Sequence, residues 1–451
     1  MEGEAKISDI SIVFMKHFFG RMILEYLRFF TKLKLQRVHP KIIGVTGSMG
    51  KTSAMHALAT IISPSYKTKV TLKGNSESGI PLEILNIKMK NFSCMSWMSA
   101  LALAPVHAFD DEMYDVLIVE MGIDEPEEPK NMGYLLKIVT PDIGVILNVS
   151  SVHTEQFGGD IHAIAKEKGL LVTTMDETRV AVINADDPLV APLKDQTSAL
   201  VKTFGKGKNA TLRITAYELK GTTTTIIFEY NDIRHTLSFK DQVFFEQYGY
   251  IFAAALLVGI QLEISLEDGI KRLQTSYHLP PGRLSVLKGE KQSTIIDSSY
   301  NASPSAVKAA LQLLKQVKIK GKRIAVLGDM RELGSLAEEK HKEIGVYASQ
   351  SADVIVLVGP LMKQYALSEI FHTGFSRDNV FQFDTARDVG QFIKGKLLKK
   401  NDLVLVKGSQ NTIFLETVVY DLMKEKAKAH DLLCRQSPYW EKVKKDFFQK
   451  Q

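Results

Sequence analysis

Short apolar runs alternate with helical periodicities along most of the chain. "KIIGV" (41–45), "VLIVEMG" (116–122), "PDIGVILNVS" (141–150) and "RVAVINADD" (179–187) read as buried strands, with helix-period stretches such as "DIHAIAKEKGLLVTTM" between them. This alternation predicts an α/β fold, a parallel sheet covered by helices. The stretch 211–240 differs: β-branched alternation broken by turn residues predicts antiparallel hairpins, and "EQYGYIFAAALLVGI" then predicts a helix. Pro280, Pro281 and Gly282 make a stiff break. A second α/β alternation follows, through "STIIDSSYNASP", "KRIAVLGDM", "ADVIVLVG" and "DLVLVKGS". The pattern divides into an N-terminal helix (1–40), a first α/β domain (41–278), a second (279–424) and a charged helical tail (425–451).

The N-terminal helix has two readings. Arg21, Glu25, Arg28 and Lys32 recur at steps of four, three and four and share a face, while Ile23, Leu24, Leu27 and Phe30 fall mostly opposite. No run approaches the about 18 apolar residues of a membrane span. The helix either packs on its own domain or lies as a basic amphipathic helix on an anionic membrane face, through residues 10–38.

Composition changes this picture little. Hydrophobic residues make up 45% and charged residues 24% of 451, as in soluble globular proteins. The net charge of +6, from 57 basic and 51 acidic side chains, is too mild to argue for nucleic acid. Two distant cysteines, Cys94 and Cys434, make neither a metal cluster nor a disulfide framework and suit a reducing cytoplasm.

The chemistry begins at "TGSMGKT". The general phosphate-loop pattern wants a glycine where Val45 stands, yet the run follows a strand and precedes a helix. Gly47 and Gly50 let backbone N–H groups of the loop, Ser48 among them, turn toward phosphate oxygens at a helix N-terminus. Lys51 can reach the terminal phosphates, and the Thr52 hydroxyl can bind Mg²⁺. The first domain is therefore expected to be a P-loop ATP-binding domain.

This loop resembles that of the Mur ligases, the ATP-dependent amide-forming enzymes of peptidoglycan precursor synthesis. The resemblance runs in order over about residues 41–420: "GNSESGIPLEIL", "VLIVEMG", "ILNVSSVHTEQFGG", "IAKEKG", "AVINADDP", "PPGRLSVL", "DSSYNASP", "IAVLGDMRELG" and "VLVKGS". The last blocks look most like the branch that adds D-alanyl-D-alanine. The resemblance implies a Mg²⁺-binding glutamate at Glu120, a metal-ligand histidine at His153 and a carbamylated lysine at Lys168, with Lys166 as nearby competitor. Thr52 and Glu120 would hold one Mg²⁺, and His153 with Lys168 a second. Nucleotide contacts are implied at Ser53 and Asn184 and, in a Rossmann-like C-terminal domain, at Arg283, Asp297, Tyr300 and Asn301. Arg283 would reach the γ-phosphate on domain closure, and Lys407 and Ser409 could face substrate.

The chemistry agrees. A carboxylate must be activated before an amine can attack it, and γ-phosphoryl transfer gives an acyl phosphate that expels phosphate. Two Mg²⁺ ions and Lys51 would hold the two anions together. The expected enzyme is a monomeric cytoplasmic carboxylate–amine ligase acting on a muropeptide precursor and D-Ala-D-Ala, with no nucleic-acid partner, possible contact with the inner membrane face, and roles in cell shape and division.

Three features depart from the resemblance. Only residues 1–40 precede the loop, so the family's sugar-nucleotide grip is not expected here. Tyr248 and Phe252 stand where the family has His and Asn, so the adenine could stack on an aromatic. The paired aspartates of the family read Asp297-Ser298. A folylpolyglutamate-type ligase and a lapsed ATP-binding scaffold at the membrane remain as alternatives. A GTPase switch is disfavoured because no Asn-Lys-x-Asp motif occurs.

Overall fold

The computed structural model describes residues 3–72, 74–89, 93–150, 154–331, 333–409 and 413–449, with the side chains of all of these except 3–19, 154 and 155. The chain forms two compact units. One comprises residues 1–216, 226–237 and 247–277; the other comprises 217–225, 238–246 and 278–451.

A nine-stranded sheet dominates the first half. Its strands are β1 (Lys41–Thr46), β2 (Thr68–Thr71), β3 (Val116–Glu120), β4 (Ile143–Ile146), β5 (Val180–Asn184), β6 (Leu200–Gly205), β7 (Leu212–Lys220), β8 (Thr223–Tyr230) and β9 (Ile233–Phe239). They lie in the order β2-β3-β1-β4-β5-β6-β7-β8-β9, parallel from β2 through β7. Continuous runs of Val, Ile and Leu build the parallel strands because both faces are buried. Two-residue connections join β7 to β8 and β8 to β9, which only antiparallel neighbours permit. Asn231 and Asp232 take φ of 50° and 62°, the left-handed pair such a turn requires.

The helices of this half are α1 (Gly3–Val38), α2 (Lys51–Ile62), α3 (Gly79–Ile84), α4 (Cys94–Ala108), α5 (Met132–Ile138), α6 (Ile161–Thr173), α7 (Tyr248–Gln261) and α8 (Leu266–Ser276). The described part of α1 packs on its own domain: Leu27, Thr31, Lys34 and Val38 are buried at helical spacing. Its charges are not left as one free basic face. Arg28 pairs with Glu25 and lies 5.5 Å from the Tyr134 ring, while Lys34 reaches Asp110 at 2.9 Å and Glu112 at 2.8 Å. A fully buried lysine persists only with such partners. No helix among the described residues is long and apolar enough to cross a membrane.

The second unit carries a six-stranded sheet: β10 (Ser285–Lys288), β11 (Thr294–Ser298), β12 (Arg323–Gly328), β13 (Val354–Val358), β14 (Val380–Phe383) and β15 (Leu403–Lys407). The order is β10-β11-β15-β12-β13-β14, parallel except for β10. One face is covered by α9 (Pro304–Gln316), α10 (Ala337–Ser349) and α11 (Leu367–His372). The other is covered by α12 (Val389–Phe392), α13 (Glu416–Leu422) and α14 (Ala429–Leu432). The tail ends in α15 (Pro438–Gln449), whose Trp440, Phe447 and Phe448 surround Phe414 edge-on.

Candidate functional site

The phosphate loop turns between β1 and α2. Gly50 holds φ 84°, a left-handed conformation that favours glycine, and a Cβ there would press on Ile251 Cδ1 at 3.2 Å. Asn148, just past β4, clips the loop from both sides: its Oδ1 accepts from Met49 N (2.9 Å) and its Nδ2 donates to Met49 O (3.0 Å). The Ser48 amide adds a bond to Asn148 O at 2.9 Å. Lys51 Nζ folds back on the Gly47 carbonyl at 2.8 Å.

At the end of β3, in register with Val45, Glu120 is buried. Its Oε2 accepts from the Thr52 hydroxyl and its Oε1 from Asn75 Nδ2, both at 3.1 Å. The carboxylate is aimed beneath the loop rather than left unpaired, as burial demands. Gly47, Ser48, Lys51, Asn75, Asp124, Phe157 and Lys168 line one cavity of about 70 Å³. A larger cavity of about 440 Å³, between the β8–β9 hairpin and the α7–α8 corner, contains none of the candidates.

Lys168 is buried on the inner face of α6, whereas Lys166 is exposed. Burial first, and then the neighbouring Lys51 cation, push the Lys168 amine down to about 8, against the pull of Asp124. Burial likewise lowers Lys51, opposed by Glu120 and Asp124. His153 lies outside the described residues. Among those described, no three His, Cys, Asp or Glu cluster to hold a metal; Mg²⁺ held by one or two protein oxygens plus phosphates needs none.

Two expected nucleotide contacts sit elsewhere. Asn184, buried at the end of β5, donates to Leu147 O at 2.7 Å and accepts from Asp186 N at 3.0 Å, tying the ends of β4 and β5. Ser53 Oγ lies 3.3 Å from the Tyr248 hydroxyl. Of the two aromatics on which the adenine could stack, Phe252 is fully buried between Tyr248 and Tyr277, at centroid distances of 5.7 and 5.0 Å, which leaves Tyr248.

In the second unit, parallel register brings Ser298 of β11 beside Lys407 of β15. Lys407 Nζ donates to Ser298 Oγ at 3.1 Å and Asn301 O at 2.8 Å. Burial pushes this amine down to about 8, with Asp297 pulling the other way. Asp297 is fully buried; its Oδ1 accepts from Ser299 N at 3.0 Å, while Oδ2 has no partner among the described residues. Burial raises this carboxyl to about 6. Arg283 stacks 4.4 Å from the Tyr300 ring centroid, and Ser409 Oγ donates to Ala302 O at 3.3 Å.

These loops lie on the carboxyl edge of each sheet, where open α/β sheets bind ligands. The Mur ligase middle domain matches residues 45–243, and the Mur ligase glutamate ligase domain matches residues 282–410. The chain belongs to the Mur ligase family. As a Mur ligase it is an ATP-dependent acid–amino-acid ligase. It is 29% identical over 405 residues to the UDP-N-acetylmuramoyl-tripeptide--D-alanyl-D-alanine ligase of Bacillus subtilis (strain 168), covering 89% of this chain and 80% of that one. Among solved structures it is similar to MurF from Acinetobacter baumannii (TM-score 0.69, 23% identity, 88% of this chain and 80% of that one). It is also similar to MurF ligase from Thermotoga maritima in complex with ADP (TM-score 0.66, 25% identity, 90% and 84%).

Three residues of this Mur ligase site escaped the sequence. Asn148 lies in the block that carries His153, and Asp124 lies two residues past the block that ends at Gly122, so neither is singled out. Arg435 reaches from the tail to the Ser299 and Tyr300 carbonyls at 2.8 and 3.0 Å while pairing with buried Glu416 at 2.9 and 2.7 Å. A charged tail gives no sign of such a bond.

Proposed function

We propose that this Mur ligase joins the free carboxylate of a peptidoglycan precursor peptide to the amine of D-Ala-D-Ala. The observation that carries the reading is the convergence of Lys51, Asp124 and Lys168 on one cavity beside Glu120, which Thr52 and Asn75 orient. The likeness to D-alanyl-D-alanine ligases supports the choice of substrates.

Lys51 would neutralise the γ-phosphate while the peptide carboxylate oxygen attacks its phosphorus and ADP departs. The dipeptide nitrogen then attacks the acyl carbon, phosphate leaves and the amine proton is lost. Backbone N–H groups of Gly50 and Lys51 would bind the phosphates, those of Ser48 and Met49 being engaged by Asn148, and Ser53 and Asn184 are carried as nucleotide contacts with Arg283, Asp297, Tyr300 and Asn301. The hard oxygens of Thr52 and Glu120 fit Mg²⁺, with His153 and a carbamylated Lys168 proposed for a second ion. Bound Mg²⁺ would supply charge neutralisation between phosphate and carboxylate. A buried amine with no hydrogen bond among the described residues suits Lys168 for carbamylation, because only the neutral amine adds CO₂. Cytoplasmic action at the inner membrane face, as a monomer, completes the proposal.

ADP release, followed while precursor peptide and D-Ala-D-Ala are added separately and together, tests it. Release that requires both, with the amide product found by mass spectrometry, is expected; release without either would sink the ligase reading for these substrates. Carbon-13-labelled bicarbonate should give a carbamate resonance that Lys168→Arg abolishes.

A further inference from the structure

We propose that the outer face of α4, with the adjoining stripe of α1, is a docking surface for an anionic lipid bilayer. This deepens the membrane contact offered above and is independent of the substrates.

The sequence of α4, "CMSWMSALALAPVHA", contains no Asp, Glu, Lys or Arg. A helix on the surface of a soluble protein ordinarily turns a polar face to water. Here the inward face is the small one: Ala100, Ala104 and Ala108 are buried against Leu27 of α1 and Leu82, Leu85 and Ile87 around α3. The outward face is large and apolar. Met95 is 79% exposed, Met98 65% and Val106 64%, and Phe109, the residue after the helix, is 61% exposed. These positions share one side of the helix. On α1, which packs alongside, Met22, Tyr26 and Phe29 recur at steps of four and three and are also exposed. Contiguous exposed apolar surface of this kind marks a place that something covers.

Charge selects the occupant. The acids beside the patch are already engaged: Asp110 and Glu112 by Lys34, with Lys69 at 2.6 Å from Glu112, and Glu25 by Arg28. Lys32 and Lys88 are exposed, as is Arg21, which lies 3.8 Å from Glu128; of the acids beside the patch among the described residues, Asp111 is exposed. An apolar face flanked by cations suits acyl chains below anionic headgroups. A second copy docked by the same face would repeat those cations against their counterparts. With no spanning helix among the described residues, the contact is peripheral.

The test is co-sedimentation of the full chain with vesicles of phosphatidylcholine alone or mixed with phosphatidylglycerol. Binding should need phosphatidylglycerol and weaken as salt rises. Met98→Glu/Val106→Glu/Phe109→Glu should lower it at least about tenfold, the scale of inserted apolar groups lost to water, and Lys32→Glu/Lys88→Glu should lower it with the apolar face intact. Melting temperature and ADP release should stay at wild-type values, because all five positions are exposed and outside the site. Wild-type protein that ignores phosphatidylglycerol vesicles, or a triple variant that binds like wild type, overturns the proposal. So does a wild-type dimer that ignores vesicles and falls apart in the triple variant, since a second copy would then be the occupant. Ligase activity, read separately, stands or falls without affecting this result.

Discussion

Two lysines face one cavity, and each responds differently to being there. Lys51 is drawn toward Glu120 and Asp124 and keeps a carbonyl partner; Lys168 has only a neighbouring cation and Asp124. Lys51→Ala should lower the rate of ADP release by about 10²–10³, the scale for removing one preorganised charge-stabilising donor. Its melting temperature should not fall, since no buried group is left without its bond beyond the Gly47 carbonyl. Asp297 offers a pH test. Its folded pKa of about 6 lies above the unfolded value of 3.8, so the native state binds the extra proton and stability declines as pH rises between the two. That difference corresponds to at most about 3 kcal/mol, because Lys407 loses counter-charge when Asp297 is neutralised. Asp297→Asn should therefore gain stability relative to wild type on going from pH 4 to pH 8, read by urea unfolding at each pH. A constant difference across that range would refute the assignment.

Whole elements are held by contacts their own sequences do not announce. Arg435 holds the loop after β11 by two carbonyls and neutralises Glu416, both side chains being buried. Arg435→Met should cost about 3 kcal/mol, the low end for a broken buried pair because Lys444 Nζ stays 3.8 Å from Glu416, and Arg435→Met/Glu416→Leu should recover most of it. Denaturant midpoints of the two variants give the comparison. On the other half, Leu27→Ala should cost about 2–5 kcal/mol by opening the seam between α1 and α4. The strands were readable because parallel, doubly buried segments announce themselves as apolar runs, and the β8–β9 turn because Asn-Asp tolerates positive φ. The first helix was readable only as a choice between two fates. Amphipathic spacing could not reveal that Lys34, a charged residue, would be one of its most deeply buried positions.

At the scale of the molecule, the phosphate loop was legible because its residues are contiguous and each glycine has a local duty. The clip by Asn148 was not, since its partner lies 99 residues away and only the sheet order brings them together. Which of Tyr248 and Phe252 could meet a base was not legible either, because the burial of Phe252 depends on Tyr277, a residue distant in sequence. Mg·ATP at about 100 times its dissociation constant should raise the unfolding free energy of the wild-type chain by about 2.7 kcal/mol, and Lys51→Ala should lose most of that gain. The pairing of Val45 with Glu120 also makes the position of that carboxylate a matter of odd and even. Removing one residue from the run 116–119 leaves an apolar strand that can still find its neighbours, but with parity reversed the acid would point to the far side of the sheet. Such a chain should fold and yet be inert, whereas deleting two adjacent residues there restores the parity and shortens only the strand.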